Sequence, residues 1–157
     1  MSIALALGSN LSSPAGTPRQ TLDAALLRLE ELGHVTAVSR FYETAPVGFA
    51  DQPSFLNAAA ILESTLDPQT LLDRLLDIER EFGRDRSHGI PNGPRTLDLD
   101  MLLYDDQVLN TPALQLPHPR MAERAFVLIP LAEIAPDLLH PVFNKSMKQL
   151  CEDLTKA

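Results

Sequence analysis

Two prolines, Pro18 and Pro68, each directly follow a side chain able to cap a helix, Thr17 and Asp67, and so fix where helices must begin. Proline fits the first helical position because the N–H it lacks would have no partner there, while the preceding Thr or Asp oxygen takes up one of the remaining free N–H groups. Gln20, three residues after Thr17, completes a capping box. Leu22, Ala25, Leu26 and Leu29 then recur at helical spacing, with Gly33 as the expected stop. After Asp67 the apolar stripe is Leu71, Leu75, Ile78 and Phe82, ended by Gly83.

The segments around these two helices read as strands. Residues 3–7 form a short apolar run closed by Gly8-Ser9-Asn10. Residues 35–43, rich in β-branched and aromatic types, predict a second strand, and residues 55–63 a third after the turn-prone stretch 45–48. Period-two geometry puts Phe55, Asn57, Ala59 and Ile61 on one face and Leu56, Ala58, Ala60 and Leu62 on the other. Residues 83–94 carry three glycines and two prolines, too irregular for either element, and a strand resumes over 96–104. The order β-α-β-β-α-β predicts an α+β fold, the split βαβ pattern of a ferredoxin-like sandwich. Beyond it come a hairpin-like piece around Val108, a loop at Pro117-His118-Pro119 and an apolar run over 126–129. A helix is expected from Pro130 to just before Pro136, and the Ser146-Met147-Lys148-Gln149 capping box predicts a last short one. With no repeat and no linker, residues 1–157 are expected to form a single domain with the C-terminal extension packed on it.

Composition narrows the class. The 45% hydrophobic and 22% charged residues are ordinary for a globular chain, and a domain of this size buries roughly 68–70% of the surface its unfolded chain exposes. No apolar run approaches the roughly 20 residues of a membrane span. Residues 3–7 lack the basic flank and length of a secretory signal, and one cysteine, Cys151, permits no intrachain disulfide. A cytoplasmic location is expected. Thirteen Lys+Arg against 21 Asp+Glu leave a net charge of −8, which argues against a nucleic-acid binder. The cations are nevertheless concentrated: the three lysines lie beyond residue 144, whereas Arg80, Arg84, Arg86, Arg95, Arg120 and Arg124 share the middle section. Arginine presents a rigid fork matched to phosphate oxygens, so anion chemistry is sought there.

Gly93-Pro94-Arg95-Thr96-Leu97-Asp98-Leu99-Asp100 is the sharpest motif. On a strand, Asp98 and Asp100 project from one face with Cα atoms about 6.7 Å apart, and Leu97, Leu99 and Met101 from the other, which is the core face. Adjacent carboxylates repel one another; magnesium, commonly held by one or two carboxylates with phosphate oxygens and waters, resolves the conflict. Two solvated surface acids are the plainer reading of an isolated Asp-x-Asp. Arg95 just upstream, and Arg84 at the start of the irregular segment, add a plausible phosphate clamp; Arg86 reads as a solvated loop charge. No histidine pair has zinc-ligand spacing, and no Walker, G-x-G-x-x-G or protein-kinase motif is present.

The chain resembles the 6-hydroxymethyl-7,8-dihydropterin pyrophosphokinases almost end to end. The resemblance runs through Ala6-Leu7-Gly8-Ser9-Asn10-Leu11, Ser39-Arg40-Phe41-Tyr42-Glu43-Thr44, Gln52-Pro53-Ser54-Phe55-Leu56-Asn57-Ala58, Glu79-Arg80-Glu81-Phe82-Gly83-Arg84, the octapeptide above, Pro117-His118-Pro119 and Arg124-Ala125-Phe126. It implies an ATP-dependent diphosphokinase of folate biosynthesis, with two magnesium ions on Asp98 and Asp100 and ATP as co-substrate. It makes Arg84 and Arg95 mobile catalytic arginines and Asp98 the nearest candidate base. Glu79, His118 and Arg124 would stand with them at the nucleotide. Thr44 and Val47 would offer backbone groups, and Asn57 its amide, to a pterin held between Phe55 and Phe126. Loop 83–94 would close over the site and exclude water. Small-molecule partners are implied, with association with other folate enzymes in some organisms; a monomer is expected. Three positions depart from the family: Phe55 for a stacking tyrosine, Asn92 for a tryptophan, and Pro119 for an aromatic hydroxyl. Two rivals are a ferredoxin-like binding module and a different magnesium-dependent phosphotransferase or nucleotidyltransferase, the latter distinguished by releasing ADP or pyrophosphate in place of AMP.

Overall fold

The computed structural model describes residues 1–45, 52–84 and 94–156. In chain order these form β1 (Ser2–Ser9), α1 (Pro18–Leu29), β2 (His34–Val38), β3 (Tyr42–Thr44), β4 (Phe55–Glu63), α2 (Pro68–Glu81), β5 (Asp98–Tyr104), β6 (Leu109–Asn110), β7 (Gln115–Leu116), a 3-10 turn (Met121–Glu123), α3 (Ala125–Ile134) and α4 (Met147–Lys156). Among the described residues no helix is long and apolar enough to cross a membrane.

The helix starts follow the capping chemistry. Thr17 accepts the Gln20 N–H at 3.3 Å while Gln20 Oε1 accepts the Thr17 N–H at 2.9 Å, and Asp67 Oδ1 accepts the Thr70 N–H at 2.8 Å. Ser146 caps α4 through the Gln149 N–H at 3.1 Å, but the Gln149 side chain turns forward to Asp153 at 2.7 Å, so only half of that box closes. The two glycines expected as helix stops differ in what they do. Gly83 adopts φ +87 directly after the C-cap of α2, the left-handed conformation a helix terminus favours. Gly33 lies beyond the end of α1 at Leu29 and is needed for space, since a Cβ there would meet the Glu63 carbonyl oxygen at 2.0 Å.

An α+β architecture results, built on an antiparallel sheet in the order β2-β4-β1-β5 with β3 also paired to β4. Alternation along the strands feeds two cores. Ile3, Leu5 and Leu7 of β1, Ala58, Ala60 and Leu62 of β4, and Leu99 and Met101 of β5 pack with Leu22, Ala25 and Leu29 of α1 and Leu71, Leu75 and Ile78 of α2. On the opposite face Ala4, Ala59 and Leu102 meet Val127, Leu128 and Leu131 of α3 and Met147 and Leu150 of α4. The C-terminal helices therefore cover the sheet face that a two-layer sandwich leaves open.

Three expectations are corrected. Residues 35–43 are not one strand: β2 and β3 are separate, because Ser39 answers Ala59 with its N–H as donor and its own Oγ as acceptor, each at 2.9 Å, in place of a regular ladder. The helix expected from Pro130 begins at Ala125 and runs through the proline. Proline inside a helix removes one hydrogen bond; the burial of Val127, Leu128, Pro130 and Leu131 against the sheet outweighs that loss. The strand expected over residues 96–104 begins at Asp98.

Truncating Leu75, fully buried between α2 and the sheet, to Ala is expected to cost about 2–5 kcal/mol in urea unfolding. His140 supplies a pH-dependent contribution. Its Nδ1 accepts the N–H groups of Val142 and Phe143 at 3.2 and 3.1 Å, its ring stacks on Phe143 at 4.3 Å, and burial holds its pKa below the ordinary 6.5. A lowered folded-state pKa means the unfolded chain binds the proton first on acidification. This contribution is therefore complete above pH 6.5 and is lost as pH falls from there toward the folded value. An NMR titration of the His140 ring, with unfolding curves at pH 7.5 and 5.5, checks both the shift and the sign.

Candidate active site

One end of the sheet face under α3 is left uncovered. Ala6 and Gly8 on β1 have almost no side chain to fill it, and α3 begins only at Ala125. The result is a cleft of about 360 Å³. Thr44 ends β3 at its rim, Phe55 and Asn57 rise from β4, Asp98 and Asp100 from β5, and Phe126 from the first turn of α3, all lining this one volume.

Register sets the spacing. Gly8 pairs with Asn57 on one side and with Asp98 on the other, and Ala6 pairs with Asp100. Asn57 and Asp98 thus stand two strand spacings apart, about 9–10 Å. Gly8 is small for a reason in this row: a Cβ there would lie 3.0 Å from Asn57 Oδ1. Asn57 Nδ2 donates to Thr44 Oγ1, which fixes the amide and leaves Oδ1 as the acceptor side.

The acids are surrounded by arginine. Asp98 Oδ1 accepts from Arg84 Nη1 at 2.5 Å and Asp98 Oδ2 from Arg95 Nη1 at 3.1 Å. Arg84 also donates to the Leu97 carbonyl at 3.2 Å and lies 3.6 Å from Glu79 Oε2. Arg95 spans acid and aromatic, its guanidinium carbon 5.3 Å from the Phe55 ring centroid, and Arg124 sits likewise over Phe126 at 5.5 Å. The Arg95 backbone is locked to Asn10, donating to Oδ1 at 2.9 Å and accepting the Asn10 N–H at 3.1 Å. Asn10 Nδ2 reaches Gln52 Oε1 and the Pro53 carbonyl, and Ser9 Oγ donates to the Thr96 carbonyl at 2.6 Å. Buried Ser9 and Asn10 thereby tie the approaches to β4 and β5 together.

Of the residues predicted from sequence, Thr44, Phe55, Asn57, Arg95, Asp98, Asp100, Arg124 and Phe126 line the cleft. Arg84 reaches it through Asp98, and Glu79 lies behind that pair, 1% exposed. His118 stands beside the cleft. Its Nδ1 accepts the Arg120 N–H at 3.2 Å, which puts the ring proton on Nε2, and burial together with the charge of Arg124 lowers its pKa, so it is a neutral donor at neutral pH. Val47 lies outside the described residues, as do Arg86, Asn92 and the rest of residues 85–93 in the loop expected to close. Sequence reasoning read Ser9 and Asn10 as a strand stop and part of the first family motif without a role of their own, counted Arg120 only among the clustered arginines, and gave no role to Glu123; Arg120 and Glu123 are both on the cleft wall. The four-residue spacing of Arg120 and Arg124 was the available signal for Arg120.

Paired acids, clustered guanidiniums and a small aromatic-walled pocket sharing one cleft form the setting in which the comparisons with known proteins fall. Residues 4–136 match the family model for 7,8-dihydro-6-hydroxymethylpterin-pyrophosphokinase. The chain is 50% identical over 139 residues to the 2-amino-4-hydroxy-6-hydroxymethyldihydropteridine pyrophosphokinase of Pseudomonas aeruginosa, covering 87% of this chain and 82% of that protein. It is 42% identical over 153 residues to the Haemophilus influenzae protein of the same name, covering 94% and 92%. Among solved structures, wild-type Plasmodium falciparum HPPK-DHPS superposes with a TM-score of 0.74 at 16% identity over 99% of this chain, which spans 45% of that longer one, and this likeness speaks for the fold. With the family match running from β1 to beyond α3 and the identities holding over most of both chains, this protein belongs to the 7,8-dihydro-6-hydroxymethylpterin-pyrophosphokinase family.

Proposed function

We propose that this chain transfers the pyrophosphoryl group of ATP to the hydroxymethyl oxygen of 6-hydroxymethyl-7,8-dihydropterin, releasing AMP, as a step of folate biosynthesis. The observation that carries the reading is the shared cleft, with an amide and two phenylalanines on one side of Gly8 and two acids under arginine on the other. A flat bicyclic ring with a mixed donor–acceptor edge suits the first half, and a polyanion suits the second. The ferredoxin-like βαββαβ arrangement, within one domain of residues 1–157, belongs to the same reading and is supported by the antiparallel order β2-β4-β1-β5.

In this mechanism Phe55 and Phe126 hold the two faces of the pterin, and Asn57 Oδ1 with the Thr44 and Val47 backbones takes its edge. Arg84, Arg95 and Arg124 bring guanidinium forks to the triphosphate, and His118 Nε2–H adds a neutral donor. Asp98 and Asp100 would hold magnesium. The donor set fits in kind: both offer hard carboxylate oxygens from one strand face. Such a site suits an ion that keeps water and phosphate oxygens in its shell. Bound there, magnesium supplies charge neutralisation at the phosphoryl oxygens. The chain's own contribution is positioning. Register sets the distance between the two substrates, the Asn10 clasp fixes Arg95, and Asp98 is the nearest group to take the hydroxyl proton as the oxygen attacks the β-phosphorus in line.

Mixing the protein with ATP, magnesium and the pterin should give AMP only when the pterin is present; ADP, pyrophosphate or pterin-independent turnover would refute the reading. Asp98→Asn should reduce kcat at least about 100-fold while pterin binding in the absence of nucleotide, followed calorimetrically, is retained. Arg95→Ala should lower kcat far more than it raises KM for ATP, and an effect confined to KM would remove Arg95 from the transition state.

A further inference from the structure

We infer that Glu79 is a positioning residue, whose buried carboxylate aims the Arg84 guanidinium at the cleft and holds β5 in place beneath the two aspartates without itself touching substrate. The inference rests on the reading of Arg84 as a phosphate-binding group, and goes beyond it in giving Glu79 a role through other residues in place of a nucleotide contact.

Glu79 lies in the last turn of α2, 1% exposed. An anion there meets the negative end of the helix dipole and also bears the cost of burial, so the position opposes a carboxylate twice over. Partners from two elements converge on it nevertheless. After Gly83 turns left-handed, the Gly83 N–H reaches the Arg80 carbonyl and the Arg84 N–H reaches the Glu79 carbonyl, each at 3.0 Å. This is a Schellman terminus, and it fixes the Arg84 backbone one turn from Glu79. The Glu79 carboxylate then lies 3.6 Å from Arg84 Nη1 and accepts the Leu99 N–H at 2.7 Å, between Asp98 and Asp100 in sequence.

One residue thus joins the end of α2, the arginine that follows it and the strand that presents the acids. Arg84 is only 14% exposed and stands between two carboxylates. Asp98 is on the cleft wall and is shared with Arg95. Glu79 is not among the residues lining the cleft, so an occupant of the cleft competes for Asp98 before it reaches Glu79. Glutamine at this position keeps an acceptor for the Leu99 N–H and removes the charge, which separates holding the strand from holding the arginine.

The test compares Glu79→Gln with wild type, using Glu81→Gln as a control that removes a charge from the same turn. In the free protein, hydrogen exchange at Leu99, the melting temperature and the Arg84 Nε–H resonance are followed; kcat and both KM values are then measured. E79Q is expected to retain Leu99 protection and melt within a few degrees of wild type. Its Arg84 resonance should broaden, and kcat should fall about 100-fold with KM for the pterin within about twofold. Wild-type kcat in E79Q, or an unaltered Arg84 resonance, overturns the inference. So does a loss of kcat that merely follows lost Leu99 protection and a lowered melting temperature. If wild type forms no AMP, the functional reading fails by itself, and the Arg84 resonance still decides whether Glu79 positions that side chain.

Discussion

The structure hangs on β1 being paired on both edges at once. All eight of its residues pair with β4 on one side, and the six from Ile3 to Gly8 pair with β5 on the other, across one irregularity between Ala4 and Leu5. A slip of one residue in either ladder would turn every side chain of the slipped strand to the opposite face. Because Ile3, Leu5 and Leu7 are buried under α1 and α2, such a slip would expose a large part of the core. The register is therefore held by hydrophobic burial along the whole strand, and the row Asn57, Gly8, Asp98 at its end is a consequence. The distance between the two halves of the cleft is set by the core, away from the chemistry.

Arginine chemistry is imposed on this frame by buried polar ties. Ser9, Asn10 and Glu79 are each nearly inaccessible, and each makes a hydrogen bond to a group distant in sequence. Unsatisfied, such groups would cost about 1–3 kcal/mol apiece; satisfied, they fix where Arg84, Arg95 and the Asp98–Asp100 strand can lie. The guanidiniums on Asp98 reduce the repulsion that two acids on one strand face would otherwise feel. Arg95, shared between Asp98 and Phe55, joins the acidic half of the cleft to the aromatic half.

Much of this was legible before any coordinates. Capping residues with proline gave the starts of both early helices to the residue, and period-two alternation sorted β4 correctly between its two cores. The G-P-R-T-L-D-L-D octapeptide named the acids and Arg95, and composition marked the arginine-rich section. The break at Ser39 was not legible, because a serine answering a strand partner with its own hydroxyl has no signature in a β-prone run. Nor was the helix through Pro130, where burial overrode the local preference that proline expresses. Glu79 was named from family resemblance as a nucleotide contact; its bonds to Leu99 and Arg84 appear only once α2 and β5 are side by side.

What the sequence determined alone was local: where helices start, which strand residues share a face, that two carboxylates project together, and which residue types are present for anion chemistry. Each follows from forces acting within a few residues, the capping of free N–H groups and the periods of helix and strand. The tertiary structure decided the rest, because it depends on chain segments far apart meeting at contact distance. Only the two ladders of β1 bring Asn57 and Asp98 to either side of Gly8. Only the packing of α2 on the sheet turns a disfavoured anion at a helix end into the support of Arg84. The cleft itself exists because α3 covers one half of a sheet face whose other half is built from Ala6 and Gly8, residues too small to fill it.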